Sequence, residues 1–267
     1  MSKPANFAPS PPTVTGEFPS RGRIGAEVLI VLGLSLGSSA VYSIVRIINL
    51  LTQETALSQQ TATLNGSLSA RPTFDLIYQL LAVFFGLVPV VLVIWLLWRP
   101  QRPHLARLGI HSQRTGRDLL HGVFIVLIIG LPGLGVYLGG RALGISVNVV
   151  PAALDTFWWT VPVLILSALR AGLSEEFIVV GYLFARLGDL GWNRWTIIVS
   201  SALLRGSYHL YQGFGGFIGN LAMGIFFGYL YTRFGRLLPL VVAHTLLDAA
   251  IFIGYPWAAA AFPALFA

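Results

Sequence analysis

Five residues in the last third of the chain could carry out acid–base or metal chemistry, and all five lie within apolar sequence. They are Glu175, Glu176, His209, His244 and Asp248. Carboxylates and imidazoles together can activate a water molecule and stabilise an oxyanion, and they are also ligands for zinc. The same residue types could instead form a proton relay in a transporter or a structural polar cluster. The residue types alone leave these alternatives open.

The spacing of these residues indicates that they can meet near the middle of a membrane. Counted along ideal helices from the nearest arginine, Glu175, His209 and His244 lie at depths of about 16, 22 and 12 Å. Asp248 follows His244 by one helical turn and therefore shares its face. Ionisable side chains at such depth cost about 3 kcal/mol or more unless they are paired, hydrated or metal-bound, which favours a functional role.

The composition predicts an all-α polytopic membrane protein. Of 267 residues 55% are hydrophobic and only 10% are charged, and the mean hydropathy is +0.76. A bilayer cannot satisfy free backbone groups, and the alternation typical of a barrel strand is absent, so we expect helices. Windows of about 20 apolar residues predict seven spans. They are 25–48, 76–98, 119–139, 157–185, 195–212, 215–232 and 237–256.

Four segments follow from this division. Residues 1–23 are polar and rich in Pro and Ser, which predicts a disordered cytoplasmic tail. Residues 24–156 form the N-terminal membrane helices, and residues 157–256 form the core that contains the ionisable residues. Residues 257–267 form a short C-terminal tail or an eighth, re-entrant segment.

The net charge of +7 comes almost entirely from arginines at the ends of apolar stretches. This placement predicts membrane topology, with the arginine-rich loops and the N-terminus in the cytoplasm, and we expect a bacterial plasma membrane. No zinc-finger spacing, basic helix or aromatic–basic platform indicates a nucleic-acid partner. The expected partners are the lipid bilayer and a peptide or membrane-protein substrate. Because the chain has no cysteine, disulfides and thiolate chemistry are excluded.

Three motifs on successive predicted helices resemble those of the CPBP family of CAAX proteases and bacteriocin-processing proteases, also called the Abi family. The family shows Glu-Glu-x-x-x-Arg, then Phe-x-x-x-His, then His-x-x-x-Asn or Asp. The matching segments are SEEFIVVGYL at 174–183, LRGSYHL at 204–210 and AHTLLD at 243–248. The resemblance covers about residues 157–255 and implies an intramembrane endopeptidase.

The resemblance also implies residue roles. Glu175 would be the general base, His209 would orient the attacking water or a metal, and His244 and Asp248 would stabilise the oxyanion. Glu176 would hold the charge balance of the site. Glu175, His209 and His244 could instead hold a catalytic zinc ion with one open position, since the metal requirement of the family is unsettled.

Two positions depart from the family pattern. Val180 stands in place of the motif arginine, and Arg205 stands in place of the motif phenylalanine. We expect Arg205 to supply the missing charge from the neighbouring helix, because an unpaired arginine at this depth would be costly. Arg170 is a second candidate counter-ion, or it has a structural role. If no arginine compensates, the chain is an inactive relative that acts as a membrane scaffold or immunity protein, and a proton-coupled transporter is the other alternative.

Overall fold

The computed structural model describes residues 20–98, 105, 108–110 and 114–262. Its helices are α1 (Arg21–Gly33), α2 (Leu36–Leu51), α3 (Pro72–Leu97), α4 (Thr115–Ala142), α5 (Thr160–Glu175), α6 (Leu183–Asp189), α7 (Arg194–Tyr208), α8 (Phe214–Phe234) and α9 (Leu238–Ala261). A π-helical segment, Glu176–Tyr182, joins α5 to α6 without a break. Short 3-10 turns cover Leu57–Gln59 and Leu210–Gln212, and two strands are β1 (Thr61–Gly66) and β2 (Asn148–Ala153).

The described part of the chain contains four helices that are long and apolar enough to cross a membrane, namely α3, α4, α8 and α9. The bent pair of α1 and α2, with 57° between them, passes the same test if it is counted as one span. The predicted helical membrane bundle is therefore confirmed. The predicted count of seven spans is not, because the helical run 160–189 and the 15-residue α7 are outside this set.

The ends of the chain differ in small ways from the sequence-based boundaries. Helix α1 begins at Arg21, four residues before the first predicted span at 25–48, and α9 continues to Ala261. Most of the predicted cytoplasmic tail, residues 1–19, lies outside the described residues, as do 263–267 of the predicted C-terminal segment.

A two-stranded parallel sheet was not predicted. Strand β1 pairs with β2 in the register Thr61 with Asn148 and Gly66 with Ala153. Both strands lie in connections between long helices, β1 between α2 and α3 and β2 between α4 and α5. An isolated bridge between Ser146 and Gly213 joins the start of this region to the turn before α8. The sheet therefore lies on the side of the bundle where α7 ends.

Arginines at the other ends of the helices connect neighbouring segments. Arg186 of α6 lies 2.7 Å from the Glu27 carboxylate of α1, and Arg236 pairs with Asp118 at the start of α4. Arg21 donates to the backbone oxygen of Leu190, at a distance of 2.6 Å. These contacts join α1 to the α6 region and α4 to the α8–α9 turn.

Small residues allow α7 and α8 to pack closely. A Cβ on Gly224 would lie 2.9 Å from Ala202 Cα, and one on Gly228 would lie 3.3 Å from Ile198 Cγ1. This explains the glycines that recur every four residues in α8, because small residues let the backbones of membrane helices approach. The approach brings the polar residues of α7 against α5 and its π-helical continuation.

Candidate active site

The π-helical segment begins at the second of the two adjacent glutamates. Glu175 is the last residue of α5 and Glu176 is the first residue of the π segment. Ser201 of α7 donates a hydrogen bond of 2.8 Å to the backbone oxygen of Val179, within that segment. A side-chain donor from the next helix thus supports the altered backbone pattern. Single π-helical turns within α-helices occur frequently at functional sites.

Glu176 is paired with a cation from another helix. Its Oε1 lies 2.6 Å from Arg205 Nη2 and 2.7 Å from His244 Nδ1. The side chains of Glu176 and Arg205 are both 0% exposed. Val180, at the position of the motif arginine, is buried in the apolar core. The predicted replacement of that arginine by Arg205 is therefore present as an ion pair in the structure.

Arg205 lies between the two glutamates and an aromatic ring. Its Nη1 is 3.9 Å from Glu175 Oε2, and its guanidinium carbon is 5.4 Å from the centroid of the Phe227 ring. The flank of its side chain faces Gly224, where a Cβ would lie 3.3 Å from Arg205 Cδ. The negative face of an aromatic ring stabilises a cation, so Phe227 adds to the electrostatic partners of this buried charge.

One oxygen of Glu175 faces three side chains from two other helical regions. Tyr208 donates a hydrogen bond of 2.7 Å to Glu175 Oε2. The same oxygen is 3.8 Å from His209 Nε2 and 3.9 Å from His244 Nε2. These two separations are too long for direct hydrogen bonds. The carboxylate is thus oriented by Tyr208 and faces both imidazoles just beyond hydrogen-bonding distance.

The two histidines are oriented by their other ring nitrogens. His209 Nδ1 lies 3.3 Å from Gln212 Nε2, and His209 Nε2 is buried with no hydrogen-bond partner among the described residues. His244 Nδ1 contacts Glu176, while its Nε2 is 3.6 Å from Asp248 Oδ2. The predicted stacking of His244 and Asp248 on one helix face is present.

The geometry departs from that of a metal site. Within the described ranges, no group of three His, Asp or Glu side chains is arranged to hold a metal ion. Ligands at about 2.1 Å from a tetrahedral zinc ion lie about 3.4 Å from one another. The distances from Glu175 Oε2 to His209 and His244, 3.8 and 3.9 Å, are wider than this. The proposed zinc ligands are close together, but they do not form a metal site as placed.

Arg170 stands apart from the other predicted residues. No hydrogen bond or ion pair joins it to either glutamate in the part of the chain that the structure describes. Its side chain packs on α3 instead, where a Cβ on Gly86 would lie 2.7 Å from Arg170 Cδ. Of the two roles considered for Arg170, this contact favours the structural one over that of a counter-ion for the glutamates.

Sequence reasoning missed three contributors. Gln212 and Ser201 are polar residues of ordinary type, and Phe227 is one of many aromatic residues in the chain. Only their positions in space connect them to His209, Val179 and Arg205. Asn220 of α8 donates to the Gly216 oxygen of its own helix, at 3.0 Å, and not to a site residue.

Comparison with known proteins gives one match. Residues 157–250 match the family described as type II CAAX prenyl endopeptidase Rce1-like. The matched segment includes all five predicted acid and histidine positions and Arg205. No curated protein and no solved structure matches the chain.

Proposed function

We propose that this chain, whose residues 157–250 match the family described as type II CAAX prenyl endopeptidase Rce1-like, is an intramembrane endopeptidase with Glu175 as its general base. One observation carries the proposal. Glu175 Oε2 is held by the Tyr208 hydroxyl and faces His209 and His244 at 3.8 and 3.9 Å. Such a carboxylate and an imidazole can hold a water molecule between them and orient it towards a peptide carbonyl.

The first step is attack of this water on the carbonyl carbon of the substrate. Glu175 accepts a proton from the water as the new C–O bond forms, and the carbonyl oxygen becomes an oxyanion. His209 fixes the orientation of the water through Nε2, because Gln212 holds the opposite side of the ring. General base catalysis of this kind typically contributes a factor of about 10² to 10⁴.

His244 is positioned to stabilise the oxyanion. In this proposal it is an imidazolium that donates from Nδ1 to Glu176 and from Nε2 to the developing negative charge. Glu176 and Asp248, on its two sides at 2.7 and 3.6 Å, stabilise the cation. Arg205 in turn balances Glu176. Preorganised donors aimed at a developing oxyanion are commonly worth a factor of 10² to 10³ or about 3 to 4 kcal/mol each.

The second step breaks the C–N bond. Glu175 returns the proton to the leaving amine, the oxyanion collapses to a carboxylic acid, and the peptide is released as two products. The charge on Glu175 is therefore the same before and after the cycle. The reaction consumes one water molecule and requires no further reactant.

A zinc-dependent mechanism is also part of the proposal, with Glu175, His209 and His244 as the ligands that would hold the ion. A bound zinc ion would supply Lewis-acid activation of water. Elemental analysis of the purified protein tests this directly. About one equivalent of zinc in the native protein and much less in His244→Ala would support the zinc-dependent mechanism. Full activity in a zinc-free preparation would exclude it.

The decisive experiment compares peptide termini in membranes from cells that contain the native protein or Glu175→Gln. Glutamine keeps the shape of the side chain and an acceptor for Tyr208, so the fold should persist, which a thermal unfolding curve of the purified variant checks. We expect a set of new termini that requires the native carboxylate. Identical peptide termini in both membranes would refute the proposed endopeptidase activity. A transporter would instead show solute flux that depends on Glu175, and a scaffold would keep its phenotype in Glu175→Gln and His244→Ala.

The proposal also includes the membrane arrangement predicted from the sequence. The seven spans follow from the apolar windows, and the cytoplasmic N-terminus follows from the distribution of arginines. Thiol labelling from each side of the membrane can test them, because the natural chain has no cysteine and single cysteines can be introduced without background.

A further inference from the structure

Helix α2 carries one polar face in an otherwise apolar sequence. Ser39, Tyr42, Ser43 and Arg46 follow the spacing of residues that share a helix face, and all four line the same open groove of about 630 Å³. Arg46 is exposed and has no hydrogen bond or ion pair with any described residue. An unpaired guanidinium in a groove is available to pair with a carboxylate or phosphate.

The opposite wall of the groove is the free edge of β1. Thr61, Ala62 and Thr63 are consecutive, and all three line the groove. Side chains of consecutive strand residues point to opposite faces of a sheet. Three in a row can line one groove only if the backbone edge of the strand faces it. Within the described residues β1 pairs with β2 alone, so this edge presents unpaired N–H and C=O groups.

The inner end of the groove adjoins the candidate active site. Tyr208 and Tyr211 complete its lining. Ser43 of the polar face donates a hydrogen bond of 2.9 Å to the Tyr208 backbone oxygen, and the Tyr208 hydroxyl contacts Glu175 at 2.7 Å. One residue therefore belongs to both the groove and the immediate surroundings of the proposed base.

From these three features we infer that the groove is the substrate subsite, and that it takes an extended peptide segment bearing a carboxylate. The peptide adds to β1 as a third strand, and its carboxylate pairs with Arg46. The inference rests on the proposed function, since it assigns the substrate class of the same site.

An extended peptide fits the groove better than a compact ligand. Strand addition gives the row of unpaired backbone groups on β1 hydrogen-bond partners along the whole length of the strand. A six-residue strand presents an edge of about 20 Å, so recognition would come largely from the backbone. Arg46 then adds a charge requirement at one end. The groove volume is in the range of about 300 to 1,000 Å³ that is typical of ligand sites.

Site-directed alkylation tests the inference in the full-length chain. In a Glu175→Gln background, which prevents turnover, one variant carries Thr63→Cys at the β1 edge. A control carries Val41→Cys, which is on α2, is 63% exposed and does not line the groove. The probe is an alternating Thr-Val hexapeptide with an N-terminal bromoacetyl group, made with a free C-terminal carboxylate or a C-terminal amide. Rates are normalised to those of bromoacetamide.

We expect the carboxylate peptide to alkylate Thr63→Cys about tenfold faster than Val41→Cys, and about tenfold faster than the amide peptide does. Adding Arg46→Gln should remove the preference for the carboxylate and leave the rate of the amide peptide unchanged. Equal rates at positions 63 and 41, or a carboxylate preference that survives Arg46→Gln, would overturn the inference.

A lipid phosphate is the other source of an anion for Arg46. Repeating the assay in vesicles of phosphatidylglycerol and of phosphatidylcholine separates the two. The inference requires the carboxylate preference in both, and its loss in phosphatidylglycerol alone would assign Arg46 to a lipid headgroup and overturn the peptide role. Alkylation does not depend on cleavage. If the peptide binds in the groove but no substrate is cleaved, the proposed endopeptidase function fails and the binding site stands. If substrates are cleaved but the peptide does not bind in the groove, only the assignment of the groove as the substrate subsite fails.

Discussion

Arg205 Nη2 lies 2.6 Å from Glu176 Oε1, although the two residues are 29 positions apart and on different helical segments. Both side chains are fully buried. Val180 stands at the position of the motif arginine, so the cationic partner of Glu176 comes from α7 and not from its own helical segment.

We first predict that Arg205→Leu abolishes cleavage, because it leaves the buried Glu176 without its cation. Loss of one partner of a buried ion pair typically costs about 3 to 5 kcal/mol. Adding Val180→Arg should restore part of the activity, since it returns a guanidinium four residues after Glu176. Peptide-cleavage assays on the purified variants measure both effects. An active Arg205→Leu single variant would contradict the prediction.

A double-mutant cycle keeps this test independent of misfolding. Glu176→Gln and Arg205→Gln should each lower the thermal stability, and the double variant should be less destabilised than the sum of the two, by about 1 kcal/mol or more. Strictly additive losses would show that the two side chains do not interact in the folded protein.

Our second prediction concerns the hydroxyl that holds the proposed base. Tyr208→Phe removes the 2.7 Å hydrogen bond to Glu175 and leaves the ring in place. We expect a turnover rate lower by a factor of about 10 to 100, since net hydrogen bonds to charged groups are worth about 1.5 to 3 kcal/mol. Tyr229→Phe, on the surface of α8, is the matched control and should be neutral. A rate loss shared by both variants would count against a specific role of Tyr208.

The third prediction separates charge from hydrogen bonding at Asp248. The family pattern allows Asn or Asp at this position, so Asp248→Asn should stay within about threefold of native activity if support of His244 through a polar group is sufficient. Asp248→Ala should lose a factor of about 10² or more, the usual effect of removing oxyanion stabilisation. Substrate affinity should change little in either variant. Native-like activity of the alanine variant would remove Asp248 from the site, and an equal loss in both variants would show that the charge itself is required.

The fourth prediction uses the close contact between α7 and α8. Gly224→Ala would place a Cβ 2.9 Å from Ala202 Cα and 3.3 Å from Arg205 Cδ. We expect a loss of about 1 to 3 kcal/mol in stability from overpacking, together with reduced cleavage. Gly219→Ala on the same helix is the control, because its Cβ would meet Val136 Cγ1 at an ordinary 3.5 Å. Melting temperatures that fall equally for both would indicate a helix-wide effect and not this contact.

The sequence identified those site residues whose charged side chains are costly to bury in a membrane. Glu175, His209 and His244 stand out because ionisable residues are rare in apolar helices, and helix periodicity alone placed Asp248 beside His244. The same energetic argument predicted a partner for Arg205. Each of these inferences depends on a strong local contrast between one side chain and its surroundings.

Other features produced no such contrast. Strand β1 lies in the polar connection between the predicted spans 25–48 and 76–98, and the sequence gives no sign of it because its pairing partner is more than 80 residues further along the chain. The π segment is as apolar as any other part of a membrane helix. Arg170 has the same residue type as Arg205, and only the packing against Gly86 distinguishes their surroundings.

The π-helical segment Glu176–Tyr182 also determines the rotational phase of the helical run 160–189. A π turn holds more residues than an α turn, so winding the same residues as regular α-helix would rotate everything downstream by about 100° or more. Such a change would leave Glu175 in register with α5, but it would turn Arg186 away from Glu27. The segment therefore lets the two glutamates and the arginine anchor keep orientations that no uninterrupted helix of the same sequence could satisfy together.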